Sequence, residues 1–421
     1  MDGLRALARS KVQSYGRFSE LHTATRSFSA IRIFTYPAQD PEYEQHSVLE
    51  GDVSKPLDDP KQKGQHANAT LKLIIIPRDD VEIIKMSGDN FLKLYDAYNI
   101  DPYTLNYICQ NWYGFDSSNV TYRGANTFFL GTVMYALVFS FNPTTMTTSA
   151  ILLPKNSNGF GTGLSASNEF QVILEKYKDK IYSPITLILV ALIHQTQWID
   201  RALYAQLGAI RHAESKSGYG PYNGRSIVEI ETLTEVSADM GILLVTLSNK
   251  ARHQEIATSV LEFLEGSIKS DAKTYEVPKV MKDACDEAYR PVLAILKQQL
   301  KGGCMTTKYL QERTQSQSTV VDLFLSLANH FTNSSLTQIY SLLTHEDAII
   351  SIDQGSSMKT IAILTMVFLP GTFLATLWAV PSLQWDQSPV IQGNFWVYWV
   401  FSLPFTALVL AIWYGLTRYE K

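Results

Sequence analysis

Charge is scarce in this chain of 421 residues. Only 18% of its residues are charged, against about 25% in ordinary soluble proteins, so part of the surface does not face water. Cysteine is scarcer still. Cys109, Cys285 and Cys304 are odd in number and far apart, and no CxxC is present, which excludes a disulfide framework and a zinc ribbon. A basic excess is missing too. Lys and Arg total 36 against 40 Asp and Glu, a net charge of −4, unlike a nucleic-acid binder. No Walker A, GxSxG or HExxH motif occurs, and no catalytic constellation suggests an enzyme. The first 32 residues lack the unbroken apolar core of a secretory signal. With Arg5, Arg9, Lys11, Arg17, Arg26 and Arg32 they read as a disordered basic tail, and they match a mitochondrial presequence only weakly.

The longest absence decides the class. No Lys or Arg occurs between Thr360 and Thr417. Within that gap lie two uncharged runs, Ile361–Val380 and Phe395–Leu416. At about 1.5 Å per residue, twenty residues of helix span roughly 30 Å, the thickness of a bilayer's hydrocarbon core. Pro370 and Pro404 inside the runs predict helices packed against neighbours that satisfy the freed carbonyls. Trp378, Trp385, Trp396, Trp399 and Trp413 cluster at the run ends, as aromatic belts do. Lys359 precedes the first run, and Arg418 and Lys421 follow the second. Positive flanks stay inside, so both termini are expected in the cytosol and 381–394 outside. The chain therefore reads as a multi-pass integral membrane protein, with the plasma membrane ahead of the mitochondrial inner membrane. The lipid bilayer is its first expected partner. A reducing compartment suits unpaired cysteines and makes the sequons at Asn68, Asn119 and Asn333 coincidental.

The rest reads as an α/β cytosolic domain plus long α-helices. The expected layout is an irregular tail over 1–66, an α/β domain over 67–183, a helical region and stalk over 184–357, and a two-helix transmembrane domain over 358–421. Leu71–Pro77 is β-branched and apolar, a buried strand. Thr127–Phe141 and Thr147–Leu153 read as two more strands, and Phe91–Tyr98 and Pro102–Asn111 as short helices. Ile185–Ile193 is densely apolar but too short to span, hence a buried helix. Ile227–Ser267 is a second long helix. A third runs from Val280 to Leu300 and is expected to break at Gly302-Gly303. Beyond it, Val320, Phe324, Leu327 and Phe331 recur at helical spacing, a core or oligomer stripe.

Several motifs admit a plain reading beside a sharper one. Gly159, Gly161 and Gly163 follow no clear strand and open no clear helix, so they read as a turn rather than a nucleotide loop. His194 reads as a core histidine. Glu229, Glu231, Glu235 and Asp239 read as a wet helix face rather than a cation site. Glu346, Asp347 and Asp353 form either another wet face or a carboxylate ring that concentrates cations at a pore entrance. In the first run, Met358, Ile361, Thr365, Leu369, Thr372, Thr376 and Ala379 are 3 or 4 apart and share one helical face. Its three threonines either bond back to their own helix near Pro370 or line a pore, which two helices could build only with further subunits around an axis.

The segment from Met358-Lys359 through Leu369-Pro370-Gly371-Thr372-Phe373 resembles the first membrane helix of CorA-type magnesium transporters, in the version common among fungal CorA-like proteins. The resemblance is fairly specific over about 355–416, one of architecture over 67–354, and leaves 1–66 uncovered. It implies a CorA-like channel or transporter for Mg²⁺ or a related divalent cation, assembled as a homopentamer with the first spans around the pore. The pore-lining positions it implies are Met358, Ile361, Thr365, Leu369, Thr372 and Thr376. No covalent cofactor is expected, and the divalent cation is substrate and candidate regulator. The family carries Gly-Met-Asn at the outer end of this helix; here Ala379-Val380-Pro381 stands there. At the outer mouth Pro381 offers a carbonyl, Asn394 an amide and Asp386 the loop's one carboxylate, the candidate metal-attracting group. The departure opens an alternative, a transport-inactive CorA-like membrane protein acting as a sensing or interaction scaffold.

Overall fold

The computed structural model describes residues 1–14, 16–19, 26–55, 67–79, 82–118, 120–155, 165–218, 229–269 and 279–331. Seven strands form one sheet: β1 (Ser27–Thr35), β2 (Glu42–Leu49), β3 (Ala69–Ile75), β4 (Gly114–Ser117), β5 (Asn126–Gly131), β6 (Tyr135–Asn142) and β7 (Thr147–Pro154). Their order is β2-β1-β3-β7-β6-β5-β4. The central pair β3/β7 is parallel, with Leu73 opposite Ala150 and Ile75 opposite Leu152. The other neighbours are antiparallel.

Both faces of the sheet are covered, so its central strands are buried at most positions rather than at alternate ones. On one face, Ala30, Ile74, Val138 and Ile151 pack with α1 (Asp2–Ser14), α2 (Gly88–Ala97) and α3 (Leu105–Cys109) through Ala8, Val12, Phe91, Leu94 and Ile108. On the other, Ile31, Leu73, Leu137 and Leu152 meet α4 (Ala166–Lys176) and the first half of α5 (Pro184–Ser217). Two further helices, α6 (Ile230–Lys269) and α7 (Lys279–Phe331), continue that second core away from the sheet.

Local chemistry sets the helix ends. Ser87 and Ser165 accept hydrogen bonds from the N–H groups of Asn90 and Asn168. Ser183 caps α5 ahead of Pro184, and Gly218, at φ +66°, ends it in the left-handed region that glycine adopts without steric cost.

Residues 1–66 are not an irregular tail: they supply α1, β1 and β2. Nor is the N-terminal basic stretch a solvated run. Arg5 Nε and Nη2 bond Asp101 at 2.9 and 2.6 Å, and Arg9 bonds Asp96. Asp101 is fully buried and also takes the Tyr103 N–H at 3.3 Å. The alternation in β1 is blurred because both sheet faces are buried, and the partners of α1 lie some ninety residues away in sequence. Thr127–Phe141 is a hairpin, β5 and β6, rather than one strand. Gly159, Gly161 and Gly163 lie outside the described residues, yet they stand between β7 and α4, so a strand does precede them and a helix does follow. The chain goes from α4 into another helix, not into a parallel strand, so no βαβ unit forms. The third long helix does not break at Gly302-Gly303; α7 runs through it. A Cβ on Gly303 would stand 3.1 Å from Gln254 Nε2 and about 4 Å from Leu203 and Ile199. Close helix approach there outweighs a propensity cost of about 1 kcal/mol.

The Arg5–Asp101 pair generates a test. Asp101→Ala leaves a guanidinium facing a buried void and should cost about 3–5 kcal/mol. The expected readout is a lowered melting temperature of the full chain, with residues 1–14 released early in limited proteolysis. An unchanged melting temperature and digestion pattern would show that α1 docks without this pair.

Candidate functional site

α5 begins as an apolar rod. Ile185 and Leu187–Leu192 are all buried, which ties the sheet to the helices. His194 follows, fully buried, with Nε2 3.1 Å from Glu169 Oε2 and its ring stacked 5.5 Å from Tyr135. Glu169 also accepts from Arg201 at 2.6 Å. Burial pushes His194 down and Glu169 opposes the shift, so the ring is a neutral core histidine. Lower on the same helix, Trp198 meets His253 of α6 edge-on at 5.5 Å, and His253 meets Tyr113 at 5.5 Å from the other side. Gln195 Nε2 donates to the His253 carbonyl at 2.9 Å. Burial first, then Lys250, Arg252 and Lys155, lower His253 to about 4.

The far end of the bundle is clasped by polar pairs. Arg313 of α7 bonds Glu214 of α5 through two 2.6 Å contacts and donates to Tyr309 at 3.0 Å. Gln317 donates to Ser217 at 2.7 Å, and Ser237 of α6 donates to Asp322 at 2.9 Å. The inward face of α7 here is Leu310, Thr314, Gln317 and Val321, all buried. The expected stripe is therefore turned: Val320 is half-buried and Phe324 is 44% exposed, while the side chains of Leu327 and Phe331 lie outside the described residues. Thr314 and Gln317 were unreadable as core positions because their polar groups find partners only in the fold, the Leu310 carbonyl and Ser217. Outward, α7 exposes Ile295, Tyr309 and Leu323 at fourteen-residue intervals, together with Met305 and Phe324. That interval is two heptads, the spacing of a helix-packing seam.

α6 and α7 also frame a groove of about 360 Å³ lined by Gln254, Glu255, Glu262, Cys304 and Thr307. Cys304 is exposed, and Cys109 and Cys285 are buried; all three are free thiols. Glu229, Glu231 and Glu235 are exposed and Asp239 is half-buried, with Glu235 3.8 Å from Lys216: a wet face. Among the described residues, no cluster of His, Cys, Asp and Glu is placed to hold a metal ion, and no helix is long and apolar enough to cross a membrane. Met358, Ile361, Thr365, Leu369, Thr372, Thr376, Ala379, Pro381, Asp386 and Asn394 lie outside the described residues, as do Glu346, Asp347, Asp353 and both uncharged runs. The helix that precedes them in the sequence is α7, 53 residues, about 80 Å long.

No family model matches the chain. Over 83 residues it is 28% identical to Notoamide biosynthesis cluster protein M' of Aspergillus versicolor, a match that covers 19% of this chain and 18% of that relative. Among solved structures, the full-length CmaX protein matches 95% of this chain over 99% of its own length, with a TM-score of 0.42 at 10% identity. The complete CorA magnesium transporter from Methanocaldococcus jannaschii matches 92% over 97%, with a TM-score of 0.36 at 11% identity.

Two expectations follow from the bundle. Arg313→Leu strands Glu214 in the helix seam and should cost about 3 kcal/mol or more, whereas Arg313→Leu with Glu214→Leu should recover most of the loss; a double-mutant cycle read by thermal melting decides it. For His253 the unfolded ring titrates near its ordinary 6.5 and the folded one at about 4. Between those values the unfolded chain holds more protons, so this group's contribution is complete above pH 6.5 and falls as pH drops toward 4. Melting temperature should decline on acidification from pH 7 to 5, and less so in His253→Gln. An equally steep decline in the variant would assign it elsewhere.

Proposed function

We propose that the chain is a CorA-like membrane channel or transporter for a divalent cation, Mg²⁺ or a related ion, working as a homo-oligomer whose first membrane helix lines the pore. One observation carries the reading: two uncharged runs of bilayer length, Ile361–Val380 and Phe395–Leu416, stand at the end of a sequence whose preceding α7 is a long helix directed to them along the chain. The resemblance of residues 358–373 to the first membrane helix of CorA-type transporters supports it, and so does the three-threonine face on Thr365, Thr372 and Thr376. The outward apolar positions of α7 suit self-association about an axis, with five copies as the family pattern. No nucleotide motif drives the process. The membrane potential supplies about 2.3 kcal/mol per charge per 100 mV, and a divalent ion feels it twice.

A second reading is a transport-inactive scaffold of the same architecture, favoured by Ala379-Val380-Pro381. Mg²⁺ sheds water reluctantly and prefers oxygen ligands. A ring of amide side chains can meet the hydrated ion; Val380 offers none, and Pro381 offers only a carbonyl, of the kind that can coordinate an ion. On the transport reading Asp386 supplies the outer attraction.

The test is flux. Purified protein in liposomes loaded with a Mg²⁺, Co²⁺ or Zn²⁺ indicator is expected to admit at least one of these ions. Thr372→Leu should cut that flux without changing the oligomer mass in detergent, and Asp386→Ala should reduce both uptake and its dependence on ionic strength. A monomer in detergent, or no flux of any of the three ions, would leave the scaffold reading.

A further inference from the structure

A second site is suggested where the only parallel pair of the described sheet ends. β3 and β7 run side by side, and their ladder continues past both strands: the Arg78 N–H donates to the Pro154 carbonyl at 3.1 Å. In open α/β sheets, ligands sit in the crevice beyond the carboxyl ends of such strands. Here each strand end is followed within three residues by a cation. Arg78 follows β3 and Lys155 follows β7.

Around them the positive charge accumulates. Arg78 is 3% exposed; its Nη1 donates to Asn111 Oδ1 at 2.8 Å, and its Nε has no hydrogen-bond partner. Lys155 Nζ lies 2.5 Å from Glu82 Oε1 and also donates to the Tyr113 hydroxyl. Glu82 is already shared: Arg17 approaches it at 3.4 Å and the Asn111 amide donates to it. Asp79 beside it accepts the Ile83 N–H at 2.7 Å. The Tyr113 ring carries two cations, Lys155 Nζ at 4.7 Å and Arg252 at 5.0 Å from its centroid. Through His253 and Trp198 the group continues to Lys250, whose ammonium sits 3.9 Å above the indole. Arg17, Arg78 and Lys155 thus gather around Glu82, and Lys155 and Arg252 share the Tyr113 ring.

Burial is the largest cause of the lowered values at Arg78, which falls to about 10, and at His253; at Arg78 the Glu82 carboxylate opposes it, and at His253 Lys250, Arg252 and Lys155 add to it. A guanidinium with a vacant N–H edge beside a compact ammonium is the donor set that phosphate oxygens use.

We infer that the carboxyl ends of β3 and β7, with Arg78 and Lys155 on the sheet side and Arg252 on α6, form a binding site for a phosphate-bearing anion. The ligand bridges the sheet and α6, so its occupancy stiffens the junction between the α/β layer and the helical bundle. The site stands apart from the proposed pore, and binding is measured without flux.

The experiment is calorimetric titration of the full-length protein in neutral detergent, metal-free, with three probes: sodium pyrophosphate, ATP, and a short-chain phosphatidylinositol phosphate. Saturable binding of pyrophosphate or ATP, weakening with salt, is expected and assigns a soluble ligand. Binding of the lipid with neither soluble probe assigns a headgroup. Arg78→Gln and Arg252→Glu should each weaken binding about tenfold or more, since each removes a charged donor. Arg252 lies on the exposed face of α6, so its variant tests the site even if Arg78→Gln fails to fold. Lys55→Glu, 70% exposed at the side chain and paired with Asp52, should bind as the parent does. Absence of heat with all three probes overturns the site. So does undiminished binding in Arg252→Glu, or a loss in Lys55→Glu equal to that in Arg252→Glu, which would reduce the effect to general surface attraction.

Discussion

Burial of the first half of α5 is the constraint on which the rest depends. Ile185 and Leu187–Leu192 touch the sheet on one side and helices on the other, so one continuous core runs from Ile31 and Leu73 in the strands to Leu310 and Val321 in α7. Each fully buried Leu or Ile contributes about 1.5–3 kcal/mol, and five of them between Ile185 and Leu192, with Val190 and Ala191, leave the α5 start no exposed alternative. The sheet and the helical bundle are thereby parts of one packed body within residues 1–329.

That body is held differently at its two ends. Near the sheet, apolar contact dominates and polar groups occur in small local sets, such as Arg5 with Asp101 and His194 with Glu169 and Arg201. Along the α5–α6–α7 seam, polar side chains sit inside: Gln195, His253, Gln254, Thr307, Thr314 and Gln317 are all buried. The ring edge of His253 and the amide of Gln254 each leave an atom without a hydrogen bond. A seam of that kind gains less from burial than an apolar one, and its register rests on specific partners such as Glu214–Arg313. The seam of α5, α6 and α7 is therefore held in part by directional bonds.

Much of the soluble fold was readable because hydrophobic pattern and structure agree. The β3 run, the α2 and α3 segments, the buried α5 start and the long α6 stand close to where periodicity puts them. The misreadings share one cause. β1 and α1 are stabilised by partners far away in sequence, Ile74 and Asp101 among them, β2 is the edge strand paired to β1, and nothing local announces the distant partners. Gly302-Gly303 reads as a break because propensity is local, whereas the crossing of α7 over Gln254 and Leu203 is not. The inward face of α7 was misassigned by a few residues because two of its four core positions are Thr314 and Gln317. The basic convergence at Arg78, Lys155 and Arg252 had no signal in the sequence at all: its members are 77 and 97 residues apart, and each alone is an ordinary surface type.

By itself the sequence marked two uncharged runs, each of about bilayer length, with no Lys or Arg over 361–416 and Asp386 as the one carboxylate between them. It also determined which segments are strands and helices wherever one apolar period dominates. Only the tertiary structure decided that the N-terminal residues belong to the sheet, which face of α7 is inward, and which charges meet. Those outcomes depend on contacts between residues distant in the chain, and the energy of a polar or charged side chain is fixed by the partner it finds there rather than by its neighbours in sequence.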